Sequence, residues 1–197
     1  MNSILSAPRT SRTWTATVAV LLAAAALTAP ATASATPHTT TVAANSSRLA
    51  LSCKAATRTG HPISFSPALT LQQRKTRITA TVHLTKCSGA NQQLRSGTFK
   101  VQGTAQASCS GALGVSGSGS ITWYDAKGHR AGTSTVRPTG SATGYNPGNA
   151  LLGGTVTSGP LNRGRITGSA TPTSDVSRCA VTGLRTLSAA GTLKFQR

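Results

Sequence analysis

Glutamate is missing from the chain altogether, and aspartate occurs only twice, as Asp125 and Asp175. Most glycoside hydrolysis needs two carboxylates flanking the scissile bond, so that chemistry would fall on this one pair. Asp125 lies in Asp125-Ala126-Lys127-Gly128, a turn signal in which an aspartate caps its own backbone. No G-x-S-x-G elbow, S-x-x-K pair or glycine-rich phosphate loop is present. The histidines His38, His61, His83 and His129 show no H-x-x-x-H or Cys/His ligand spacing. We therefore expect no cofactor, no metal and no catalytic residue. The alternative is a hydrolase whose Ser/His site assembles only in space.

Long apolar runs are missing as well. The one sizeable stretch, 18–27, is well short of the roughly 20 residues needed to span a bilayer. Arg9 and Arg12 precede it, Pro30 interrupts its end, and Ala33-Ser34-Ala35 follows. This order matches a secretory signal, and residues 1–35 are expected to be removed after Ala35. The mature protein is then secreted and extracellular, with no membrane span. Residues 36–47 are Thr-, Ala- and Pro-rich without periodicity and are expected to be disordered. Residues 48–197 form the expected disulfide-stabilised β domain.

Beyond residue 35 the chain keeps eighteen Lys and Arg against two acids, a formal charge of +16. Such a surface attracts polyanions non-specifically, and anionic envelope polymers or other polyanions such as nucleic acid are the expected partners. The densest basic cluster is Arg74, Lys75 and Arg77, placed just before a strand. These three are weak anion-contact candidates, because no neighbouring aromatics supply the stacking platform of single-strand nucleic-acid binders. Core material is thin: Leu, Ile, Val and Phe make up 28 of residues 36–197, under the roughly 20 % below which a highly charged chain is suspected of disorder. Strict apolar alternation and four cysteines argue instead for a folded, cross-linked domain.

The alternation has a period of two. Ile78, Ala80, Val82 and Leu84 are separated by Thr79, Thr81 and His83, and residues 99–109 and 115–123 repeat the pattern. Trp123 is in register with Ile121 and belongs to the core. Turn signals such as Ser88-Gly89-Ala90-Asn91 and Tyr145-Asn146-Pro147-Gly148-Asn149 separate the runs. About ten strands are predicted, at 48–53, 62–68, 76–86, 97–108, 114–124, 131–138, 150–157, 164–171, 178–186 and 189–196. The fold class is all-β: a single antiparallel up-and-down domain, barrel-like, with a two-sheet sandwich as the alternative. Gly103, Gly117 and Gly119, at inward positions, allow sharp bends.

Four cysteines permit three pairings. In a hairpin of 76–86 and 97–108, Cys87 and Cys109 would sit at opposite ends, on the order of 30 Å apart. Bridged α-carbons lie within about 7 Å, which disfavours that pair. In an up-and-down order Cys53 and Cys87 end the first and third strands at one end. Cys109 ends the fourth and Cys179 begins the ninth at the other. The expected bridges are Cys53–Cys87 and Cys109–Cys179.

Ile63-Ser64-Phe65-Ser66-Pro67 and the segments 97–109, 119–136 and 153–159, with the four cysteines and the Ala/Thr-rich leader, resemble small secreted proteins of unknown function from high-GC actinobacteria. The resemblance covers most of the mature chain and implies secretion and a β fold, with no activity to carry onto any residue. The expected function is a non-catalytic extracellular binding or envelope-associated module with a basic surface.

Overall fold

The computed structural model describes residues 48–140, 142–143 and 153–197. The expected signal, the 36–47 segment, His38 and the start of the expected 150–157 strand lie outside them. Among the described residues there are eleven strands: β1 (Leu49–Thr57), β2 (Ile63–Leu69), β3 (Arg74–Gly89), β4 (Ser96–Ser108), β5 (Gly111–Tyr124) and β6 (Arg130–Pro138), then β7 (Ala142–Thr143), β8 (Gly154–Ser158), β9 (Arg165–Pro172), β10 (Leu184–Leu187) and β11 (Ala189–Gln196). Among the described residues no helix is long and apolar enough to cross a membrane.

Consecutive antiparallel pairing runs from β3 through β4, β5, β6 and β8 to β9, after which β11 and then β1 continue the ladder. β1 closes the ring by pairing with β3, Ala55 opposite Leu84 and Thr57 opposite Val82. The result is a closed eight-stranded antiparallel barrel, not a sandwich. The period of two explains its filling: Ile78, Val82, Leu84, Phe99, Val101 and Ile121 all point inward and are buried. Trp123 is fully buried against Phe195, ring centroids 5.3 Å apart in an edge-on arrangement.

β3 is longer than the predicted 76–86 and serves two neighbours. Its far half pairs with β1, while Arg77, Ile78 and Thr79 pair with β2. β2 in turn carries β10, Leu187 opposite Ile63. These two strands leave the ring and lay Ile63, Phe65, Leu69, Leu184 and Leu187 against the barrel core. A thin core is enlarged in this way by residues outside the ring.

Gly103 and Gly117 face each other across β4 and β5. A Cβ on Gly117 would meet the Gln102 carbonyl oxygen and the Gly103 Cα at 2.6 Å, and one on Gly103 would lie 2.6 Å from the Ser116 carbonyl. The two strands approach too closely there for any side chain, which fits the expected bend.

The bridges are Cys53–Cys87, with α-carbons 4.1 Å apart, and Cys109–Cys179, at 5.8 Å. The pairing agrees with expectation, but the geometry behind it differs. β1 does not end at Cys53; it runs to Thr57, and Cys53 and Cys87 lie on directly paired strands. Strict alternation from Leu84 would turn Lys86 inward and Cys87 outward. A bulge between Thr85 and Ser88, with Lys86 in the left-handed conformation at φ 49°, inserts the extra residue that turns Cys87 inward. Both sulfurs are consequently buried in the barrel. The predicted strand 178–186 also requires correction. Ser177–Cys179 is one turn of 3-10 helix and β10 begins only at Leu184, because Gly183, at φ 82°, turns the chain before the strand can start. Cys179 therefore anchors a loop, not a strand, to the β4–β5 turn.

Candidate functional site

Arg74, Lys75 and Arg77 do not form one basic face. Arg74 and Lys75 already belong to β3, so the cluster does not precede the strand as expected. Alternation places Lys75 and Arg77 on the outer face and Arg74 on the other. Arg74 is spent on structure: its Nη2 donates to the Ala68 carbonyl at 2.6 Å and ties the β2–β3 turn. Arg77 borders a cavity.

That cavity is one end of a groove on the outer face of β3, β4, β5 and β6. The main part, about 700 Å³, lies between the Gly60-His61-Pro62 turn that follows β1 and Thr135 of β6. A continuation of about 400 Å³ shares Gln102 and Ser118 with it and reaches Arg77. The ladder register builds the floor in rows. Thr81, Lys100, Ser120 and Thr135 are cross-strand neighbours, Thr79, Gln102 and Ser118 form the next row, and Arg77, Thr104 and Ser116 the third. Ser118, Gly119 and Ser120 carry little bulk, so the surface sinks along β5 between longer side chains on β4.

The polar equipment of the groove is largely uncommitted. Thr104 and Ser116 share a hydroxyl contact at 3.3 Å, and Thr135 accepts from Ser158 at 2.9 Å. The side chains of Arg77, Thr79, Thr81, Lys100, Gln102 and Ser118 make no hydrogen bond within the described residues. No carboxylate lines the groove. A second depression, about 590 Å³, is of mixed sign: Asp175 stands in it with Arg178 and Arg185.

Both aspartates are engaged in turns, as the sequence suggested for Asp125. Asp125 Oδ1 accepts from the Lys127 and His129 backbone N–H groups at 2.8 and 2.9 Å, and Oδ2 lies 3.4 Å from His129 Nδ1. Asp175 Oδ1 accepts from the Ser177 N–H at 2.8 Å at the start of the 3-10 turn. These bonds, that from the His129 N–H first for Asp125 and that from the Ser177 N–H first for Asp175, hold both carboxyls below their ordinary value of 3.8. A depressed folded-state value means that the unfolded chain binds protons first as pH falls. The associated stability is complete above the ordinary value and is lost as pH drops through the lowered ones. With only two such groups, unfolding monitored by circular dichroism should have a midpoint that stays level from neutral pH down to about 4 and declines only below it. A steep loss of stability between pH 6 and about 4 would contradict this.

His129 is the one histidine paired with a carboxylate among the described residues, and it stands 75 % exposed on the β5–β6 turn. His61 lines the groove beside Ser64, and His83 is half-buried on the outer face of β3; neither side chain is hydrogen-bonded to a serine. Among the described residues no group of three His, Cys, Asp or Glu side chains converges to hold a metal ion.

Lys100, Gln102, Ser118 and Ser120 were not singled out from the sequence. Alternation marks each as outward-facing, but only the register between β4 and β5 collects them. Comparison with protein-family models, curated proteins and solved structures finds no match to this chain.

Proposed function

We propose that this chain is a secreted, non-catalytic β-barrel module that works outside the cell by binding anionic polymers of the envelope through its basic surface. The observation that carries this reading is the disposition of charge. The only two acids are held in turns by backbone N–H groups, while Arg77 and Lys100 stand free along an acid-free groove. The leader-like residues 1–35, the two disulfides and the resemblance to small secreted actinobacterial proteins support an oxidising extracellular setting.

A surface of this kind attracts any polyanion through its overall field. Duplex DNA is a convenient generic probe. Binding of residues 36–197 to duplexes of unrelated sequence should be equal and should weaken steeply with salt, each neutralised phosphate adding about −0.9 to the log–log slope. Fluorescence anisotropy at several salt concentrations measures this. Absence of binding at low salt, or a marked preference for one duplex sequence, would sink the reading.

A further inference from the structure

The overall field explains attraction to any polyanion, but it does not explain a groove whose side chains are left without partners. The charges lining this groove are cationic, Lys100 in the main part and Arg77 in the continuation, with His61 on the rim. Lys100 lies in the Thr81–Ser120 row and Arg77 two rows further on, opposite Thr104. Four residues of β4 and one strand spacing separate the two positions, about 14 Å between α-carbons. Cations set that far apart on the floor suit an extended ligand longer than one monosaccharide ring.

The floor between the cations specifies more than charge. Thr79, Thr81, Gln102 and Ser118 present unpaired hydroxyl and amide groups, the donors and acceptors that sugar hydroxyls require. Gln102 offers both donors and an acceptor from one planar group, which suits a ring bearing several hydroxyls. No Phe, Tyr or Trp lines either part of the groove. Nucleic-acid grooves of the single-strand type rely on aromatic platforms for base stacking, and this floor offers no such surface. An apolar or purely neutral ligand would leave Arg77 and Lys100 unpaired.

Resting on the reading of the protein as a polyanion-binding module, we propose that this groove is a dedicated site for one strand of an acidic polysaccharide. Lys100 and Arg77 hold two of its acid groups, while Thr79, Thr81, Gln102 and Ser118 hydrogen-bond the sugar hydroxyls between them. Two arginines outside the groove are already engaged. Arg74 is bound to the Ala68 carbonyl, and Arg130 Nη2 donates to Thr133 Oγ1 at 2.8 Å.

The test compares an alginate octasaccharide, a neutral dextran oligomer and duplex DNA by calorimetry. The variants are Lys100→Gln/Arg77→Gln, Lys54→Gln/Lys194→Gln as a charge-matched pair on β1 and β11, and Ser118→Trp, which fills the groove without altering charge. Circular dichroism verifies the fold of each. Alginate binding is expected to fall about tenfold for each charged contact removed from the groove and to be lost in Ser118→Trp. DNA binding should respond equally to the two charge pairs and ignore Ser118→Trp, and dextran should bind weakly if at all. Equal loss of alginate binding in both charge pairs, or full alginate binding by Ser118→Trp, would overturn the groove while leaving the general polyanion reading intact. Failure of wild type to bind either polyanion would remove both. If Ser118→Trp does not fold, Gln102→Ala replaces it, and unchanged alginate affinity there overturns the assignment.

Discussion

Trp123→Ala is expected to cost about 3–5 kcal/mol, a large share of the roughly 5–15 kcal/mol by which domains are stable. Trp123 is the largest fully buried side chain among the described residues, and its ring packs edge-on against Phe195 of β11. Its Nε1–H donates to Ser134 Oγ at 2.8 Å, and the Ser134 hydroxyl donates onward to the Pro160 carbonyl at 2.5 Å. One residue thus joins β5, β6, β11 and the β8–β9 turn. Truncation removes the indole from a core with few other large side chains to refill the space. Calorimetry should show a melting temperature about 6–20 °C lower, using roughly 2–4 °C per kcal/mol for a domain of this size. Trp123→Phe keeps most of the volume and should cost far less. A melting temperature within two or three degrees of wild type for Trp123→Ala would show that the barrel interior is not the source of stability.

Replacing Cys109 and Cys179 together by serine should be comparably severe. The bridge closes a loop 70 residues apart in sequence, for which the chain-entropy model gives roughly 4 kcal/mol, though calorimetric analyses assign much of such effects to enthalpy. The bridge also has a local task. It fastens the 3-10 turn preceding β10 to the β4–β5 turn, and β10 has β2 as its one ladder partner. The urea midpoint should fall substantially. Hydrogen exchange at Leu184 and Leu187 should accelerate more than at Phe99 or Ile121, which sit between two ladder partners in the ring. An unchanged midpoint would contradict the first expectation, and uniform acceleration the second.

Much of the barrel was legible from side-chain alternation, because a closed barrel has one dry and one wet face and a period of two reports it directly. Residues 78–84, 99–108 and 115–123 lie in β3, β4 and β5 for that reason. Two features were not legible. The inward turn of Cys87 depends on a bulge at Lys86, a residue type with no special tendency toward positive φ, so the change of parity left no mark in the sequence. The short β10 was merged with the turn before it because Ser177–Cys179 and Leu184–Leu187 lie on either side of a glycine turn inside one polar stretch. The groove was hidden for a different reason. Thr79, Lys100, Gln102 and Ser118 are ordinary outward-facing residues singly, and they become a site only when three strands are laid in register. Arg74, Lys75 and Arg77 drew notice by adjacency in sequence, but on a strand neighbours in sequence point to opposite faces.

The meeting of β1 with β11 sets the order in which the molecule can be built. Leu49 is opposite Gln196, and the Arg48 N–H reaches the Arg197 carbonyl at 2.8 Å while the Arg197 N–H returns to the Arg48 carbonyl at 3.0 Å. No closed ring exists until the last strand has been synthesised, however early β3 to β6 form their hairpins. Pairings of such long sequence separation belong to the slow-folding class, and β1 and β9 present bare edges throughout the wait. The same proximity brings the two ends of residues 48–197 side by side. A short linker from Arg197 to Arg48 would join the two positions, and fresh ends opened between Lys127 and Gly128 would leave every ladder pair of the barrel in place while moving the long-range closing step from β1–β11 to β5–β6.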